Sequence, residues 1–113
     1  MLLEIPLKAI ANQSLTVPLN GQNITIDILS RSGRLYINVF LGSDLIIAGM
    51  GGVHGAYINQ YPTNPKLIGY LFFWDDSGID PTFETLTTTS HLLYSDYDYL
   101  ANAYKNWEVD NNV

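Results

Sequence analysis

The chain has 113 residues, of which 47% are hydrophobic and 14% charged, and it has no cysteine. That length holds one domain with a single core, the hydrophobic share excludes wholesale disorder, and the absent thiols exclude a disulfide framework and thiolate zinc sites, as fits assembly in a reducing cytoplasm. The formal charge of −6 is lopsided, +1 over residues 1–74 and −7 over residues 75–113, and so few cations argue against nucleic-acid binding because they release few phosphate counterions.

The first eleven residues set Glu4 inside an apolar stretch with no basic flank, unlike a signal peptide. Residues 4–8 read as a short strand, at an edge because Pro6 cannot donate to a ladder. Leu15, Val17 and Leu19 then alternate with Thr16 and Pro18, the two-residue period of a half-buried strand, and Pro18 again asks for an edge. Asn20-Gly21 is a tight hairpin signal. Ile24, Ile26 and Ile28 alternate with polar residues up to the Ser32-Gly33 turn. Leu35, Ile37, Val39 and Leu41 face one way beyond it, and Tyr36, Asn38 and Phe40 the other. Gly42-Ser43-Asp44 turns the chain into residues 45–48. Turns this short force antiparallel pairing, so the run is a β-meander with Ile26, Ile37 and Val39 in its core, and not a cofactor-binding βαβ unit.

Residues 49–56 are glycine-rich and read as a flexible turn, followed by a loop over residues 59–66 with Pro62 and Pro65. Residues 67–74 form a strand that is apolar on both faces, with Leu71 and Phe73 on one and Tyr70, Phe72 and Trp74 on the other. Such a strand is central to two packed layers or faces a partner. It is strand-sized, and no apolar run nears the roughly 20 residues of a membrane helix. Asp75 to Gly78 turns the chain, a polar loop runs to Ser90, and residues 91–94 form the last strand. The period then changes. Tyr97, Leu100, Ala101, Tyr104 and Trp107 form a helical stripe over residues 96–107, with Ser95 and Asp98 as its capping pair. The expected architecture is mostly β: a small antiparallel β-barrel or sandwich of about seven strands over residues 1–94, with a short C-terminal helix in a tail over residues 95–113. That tail packs on its own domain, plugging a barrel end, or on a partner.

Candidate chemistry yields no catalytic, cofactor or metal site. The glycines from Gly49 to Gly55 lack a Gly-Lys-Ser/Thr ending, and His54 stands where a dinucleotide fingerprint needs its third glycine, so this segment reads as a mobile connection. His54 and His91 lie 37 positions apart with no carboxylate adjacent in sequence, and both read as structural. The Asp75-Asp76-Ser77-Gly78 run suggests a calcium loop, but the twelfth position holds Leu86 or Thr87 and not glutamate, which leaves a solvated turn. Nothing places two carboxylates across a cleft as a glycosidase requires.

Short motifs follow one another in a distinctive order: Ile5-Pro6-Leu7, Asn12-Gln13-Ser14, Leu19-Asn20-Gly21-Gln22, Ala48-Gly49 and Gly69-Tyr70-Leu71. Asp75 with Gly78, Asp80-Pro81-Thr82-Phe83, Leu86 and Leu92-Leu93-Tyr94 complete the series. Over residues 4–94 this order resembles the baseplate plug family of contractile-tailed phages, known from a simple cyanophage baseplate. The resemblance implies a non-enzymatic structural virion protein near the central hub and tube end of the baseplate. It also implies assembly in the host cytoplasm, contacts with other baseplate and tail-tube proteins, and a homo-oligomer around the tail axis. The family offers no catalytic residues. Scarce charge and surplus aromatics fit burial among protein neighbours, with Tyr70, Phe72, Trp74, Tyr97, Leu100, Tyr104 and Trp107 as the partner-binding candidates. The alternative is a free-standing β-sandwich binding module, for example for carbohydrate, with Tyr57, Tyr61 and the tail tyrosines as a stacking platform. A small hydrolase lacks any nucleophile–base pair.

Overall fold

A computed structural model describes residues 1–59, 66–101 and 103. Among them are seven strands: β1 Leu2–Glu4, β2 Asn12–Leu19, β3 Gln22–Arg31, β4 Arg34–Leu41, β5 Asp44–Gly51, β6 Tyr70–Asp75 and β7 Ser90–Ser95. All strand pairs are antiparallel. They form a four-stranded sheet in the order β2-β3-β4-β5 and a three-stranded sheet in the order β1-β7-β6. The sheets do not close on one another, so the fold is a sandwich and offers no barrel end for a tail to plug.

The meander follows its period closely. Ile24, Ile26, Ile28, Leu35, Ile37 and Val39 are fully buried, while Tyr36, Asn38 and Phe40 on the opposite face are half-buried. Asn20 and Gly21 take φ of 50° and 77°, and Ser32 and Gly33 take 52° and 77°, the paired left-handed geometry whose twist matches that of hairpin strands. Pro18 lies on β2, an edge strand, where its missing N–H costs no ladder bond. From the other sheet Leu71, Phe73, Leu92 and Tyr94 meet this apolar face, with Ile5, Ile58, Leu67 and Leu86 closing the sides.

Several strand boundaries differ from expectation. The first strand is Leu2–Glu4 and not residues 4–8: Ile5 N–H still reaches the Leu92 carbonyl at 2.8 Å, but Pro6 has no N–H to continue the ladder. β6 starts at Tyr70 and not Leu67, because Gly69 holds φ +97° with its Cα against the Tyr94 ring. β7 gains a residue at each end of residues 91–94.

The largest difference is in the glycine-rich segment, which is not a mobile connection. β5 runs into it as far as Gly51. Gly52 N–H then donates to the Leu35 carbonyl at 2.8 Å, and Gly55 and Ile58 N–H donate to Phe73 and Leu71 of β6 at 2.9 and 2.8 Å. His54 and Tyr57 form bridges with Phe73 and Phe72. The segment leaves one sheet and pairs with the edge of the other, fastening the two layers. Gly52 permits this because a Cβ there would stand 2.9 Å from Phe73 Cε2. The glycines serve close approach of backbone to ring, which composition alone reads as looseness.

A candidate interaction surface

Strand alternation sends Tyr70, Phe72 and Trp74 of β6 to the outer face of the three-stranded sheet, away from the core between the layers. Phe72 is nonetheless completely buried. Its cover comes from two other parts of the chain. Tyr57, on the fastening segment, meets Phe72 edge-on at 5.6 Å and lies against Tyr70 at 4.8 Å. Tyr99 stacks on Phe72 at 5.5 Å and 17°. Farther along the strand His54 lies against Trp74 at 4.6 Å, its Nδ1 accepting the Asp75 N–H at 2.9 Å. Edge-on and offset ring pairs at these separations are favourable beyond their area.

The tail enters this cluster through a local device. Residues 99–101 are helical. The cap is Asp98 and not Ser95: Asp98 Oδ1 accepts the Ala101 N–H at 3.2 Å, whereas Ser95 Oγ accepts the Tyr97 N–H at 3.1 Å and donates to the Tyr97 carbonyl. The Leu100 N–H, a second donor the helix start leaves unpaired, goes to the Tyr57 hydroxyl at 2.9 Å, and that hydroxyl donates to Asp98. Burial, and after it the bond to Asp98, push the Tyr57 phenol well above the ordinary tyrosine range. Leu100 is 4% exposed beneath this turn.

Of the predicted surface residues, Phe72 and Leu100 are thus buried within the chain, Tyr70 and Trp74 are half-buried, and Tyr97 is exposed beside Tyr99. Tyr104 and Trp107, with the helix beyond residue 103, lie outside the described residues. The cluster also holds Tyr99 and His54, which were not predicted for it. Tyr99 sits off the helical stripe, and only the proximity of the sheet makes it a contact residue.

Two polar arrangements frame the surface. Asp75 at the end of β6 is 1% exposed, and its oxygens accept the Ser77 N–H at 2.8 Å, the Thr89 hydroxyl at 3.0 Å and the Ser90 hydroxyl at 2.5 Å. The Ser90 bond above all holds its carboxyl below the ordinary range, against the opposing effect of burial. The carboxylate is therefore buried, not solvated, and its oxygens are spent on protein donors. His91 on β7 is the second. It has carboxylates on both sides, Glu4 from β1 at 3.1 Å and Asp76 at 3.3 Å. Glu4 is 87 positions away, so no local pattern announces it.

A cleft of about 230 Å³ lies elsewhere, beside β5, and is lined mainly by Ile46, Ile47, Met50, Ile58 and Leu67. Asn59 at its wall already donates its amide N–H to the Gly69 carbonyl and accepts the Leu71 N–H at its Oδ1. Among the described residues no group of three His, Cys, Asp or Glu side chains could hold a metal ion, and no helix is long and apolar enough to cross a membrane.

The family model described as cyanophage baseplate Pam3 plug gp18 matches residues 2–98, a span that includes all seven strands. The chain belongs to this family. As a baseplate plug protein it is a structural component of the phage baseplate, with a virion location and other baseplate proteins as its neighbours. The baseplate plug family is a structural one, and that suggests a non-enzyme. No curated protein matches the chain.

Proposed function

We propose that this plug protein sits at the hub-proximal centre of a contractile-tail baseplate, by the end of the tail tube. There it contacts tail-tube and baseplate proteins as a homo-oligomer around the tail axis, after assembly in the host cytoplasm. The observation that supports this reading is the family match across both sheets. Closed rings are the usual arrangement for copies that share an axis. The accessible members of the aromatic surface, Tyr97 with half-buried Tyr70 and Trp74, supply side chains of the kind enriched at protein interfaces. Tyr104 and Trp107 join the proposed set by sequence alone and lie outside the described residues. The role we assign is one of contact, in keeping with a structural family.

Gold-labelled antibody against the chain, applied to purified tails, is expected to mark the tube-distal end. Label spread along the sheath would overturn the assignment. The exposed Tyr97 beside Tyr99 also fits the second reading, a sugar-stacking module. A glycan array with the isolated chain separates the two, since reproducible sugar binding would favour the module.

A further inference from the structure

His91 stands in β7, the central strand of the three-stranded sheet, with each ring nitrogen facing a carboxylate from a different side. Nδ1 is 3.1 Å from Glu4 Oε2 on β1, and Nε2 is 3.3 Å from Asp76 Oδ2, just past the end of β6. A neutral imidazole carries one N–H and could serve only one of these acceptors, leaving its lone pair aimed at the other. The imidazolium donates to both. We propose that protonated His91 is a clamp that ties the N-terminal strand β1 to the β7–β6 pair, so that β1 loosens from β7 when the ring loses its proton.

The place of β1 in the sheet makes it the part that responds. It has three residues, all exposed, and within its sheet it pairs with β7 alone. Past it, the Ile5 N–H bond to Leu92 and the buried Ile5 side chain hold the chain without any titratable group, and before it the Met1 ammonium bonds Asp96 Oδ1 at 2.7 Å, an ion pair that does not involve His91. The charged groups acting on the ring are Glu4 from β1 and Asp76 from the turn after β6. Its neighbour across the β6 ladder is Trp74, and Leu86 and Thr87 share with it a cleft of about 130 Å³. These are uncharged, so among the described residues no cation at this site would replace the imidazolium. Deprotonation leaves Glu4 and Asp76 flanking a neutral ring. The bond to Glu4, opposed by burial and reinforced by Asp76, raises His91 above its ordinary value. The clamp is therefore complete below the ordinary imidazole pKa of about 6.5 and is lost as pH rises through the raised value. Loosening β1 bares the unpaired backbone groups of the outer β7 edge.

The test is amide hydrogen exchange of the full chain between about pH 5.5 and about pH 8.5, with rates divided by the intrinsic rate at each pH and His91 followed by its ring resonances. Protection of the Ile5 amide is expected to fall at least about threefold in step with the His91 titration, while β6 amides hold theirs. In His91→Gln, where the Met1–Asp96 pair remains, any fall in Ile5 protection with pH should be much smaller than in the parent chain. In Glu4→Gln, a milder change that keeps the ring, His91 should titrate at lower pH and the Ile5 transition should move with it. Protection that stays flat through the His91 titration, or that falls equally in His91→Gln, would overturn the proposal.

Discussion

Asp75 and Tyr57 are buried or half-buried polar groups that each bond residues distant in sequence, and each carries a signature in pH. Asp75 is held below the ordinary aspartate range, so its contribution to stability is present above about pH 4 and is lost as pH falls through the lowered value. Asp75→Asn would set an amide NH2 against the Thr89 and Ser90 hydroxyls or the Ser77 N–H. It should melt lower at neutral pH, and its loss of melting temperature between neutral and acid pH should be smaller than the parent's. Tyr57 has the opposite sign. Its phenol is held above the ordinary value, so the contribution is intact below about pH 10 and fades at higher pH. Tyr57→Phe removes both the donor to Asp98 and the acceptor for Leu100 N–H. Urea unfolding near neutral pH should show a loss of about 1–2 kcal/mol, and the alkaline decline should become shallower.

At the scale of elements, the segment between β5 and β6 determines how the two sheets meet. Gly52 lies directly under Phe73, which is fully buried. Gly52→Ala is expected to cost about 1–3 kcal/mol. Gly51→Ala is the matched control, because a Cβ there meets only Tyr36 Cε1 at 4.0 Å, and it should change stability by less than about 0.5 kcal/mol. Equal unfolding midpoints for the two variants would show that the close approach is not what the glycine serves. The tail is attached in a comparable way. Its first turn stacks Tyr99 on Phe72 and buries Leu100, and the burial of an aromatic ring of that size is worth about 1.5–3 kcal/mol.

For the whole molecule, the outer face of the smaller sheet is covered partly by the chain's own tail. Deleting residues 96–113 takes the cover off Phe72, and we expect a chain that binds hydrophobic dye and aggregates. A truncated chain that folds with undiminished stability but no longer assembles would move the contact onto a neighbouring subunit. The proposed ring makes a separate demand. Native mass spectrometry of the plug protein with its tail-tube neighbour should find a fixed multiple of the chain, and a one-to-one complex throughout would contradict it.

The alternating isoleucines, the Asn20-Gly21 turn and the edge prolines made the meander readable, because a two-residue period and a left-handed turn are properties of neighbours in sequence. The ordered motifs carried the family in the same way, over nearly the span that the family model matches. Strand limits were legible only to within a few residues: Pro6 ends pairing by its missing N–H, and Gly69 delays it through a close approach to Tyr94 of another strand. The surface was half legible: Tyr70, Phe72 and Trp74 share a face by period alone, but that Phe72 would lie beneath Tyr57 and Tyr99 depended on two segments meeting over it. The buried carboxylate of Asp75, the fastening role of residues 52–58 and the placement of His91 between Glu4 and Asp76 belong to the tertiary structure. Each joins groups with no periodic relation along the chain: pairing within the smaller sheet sets Asp75 against Ser90 and His91 between Glu4 and Asp76, and the crossing from one layer to the other makes the fastening.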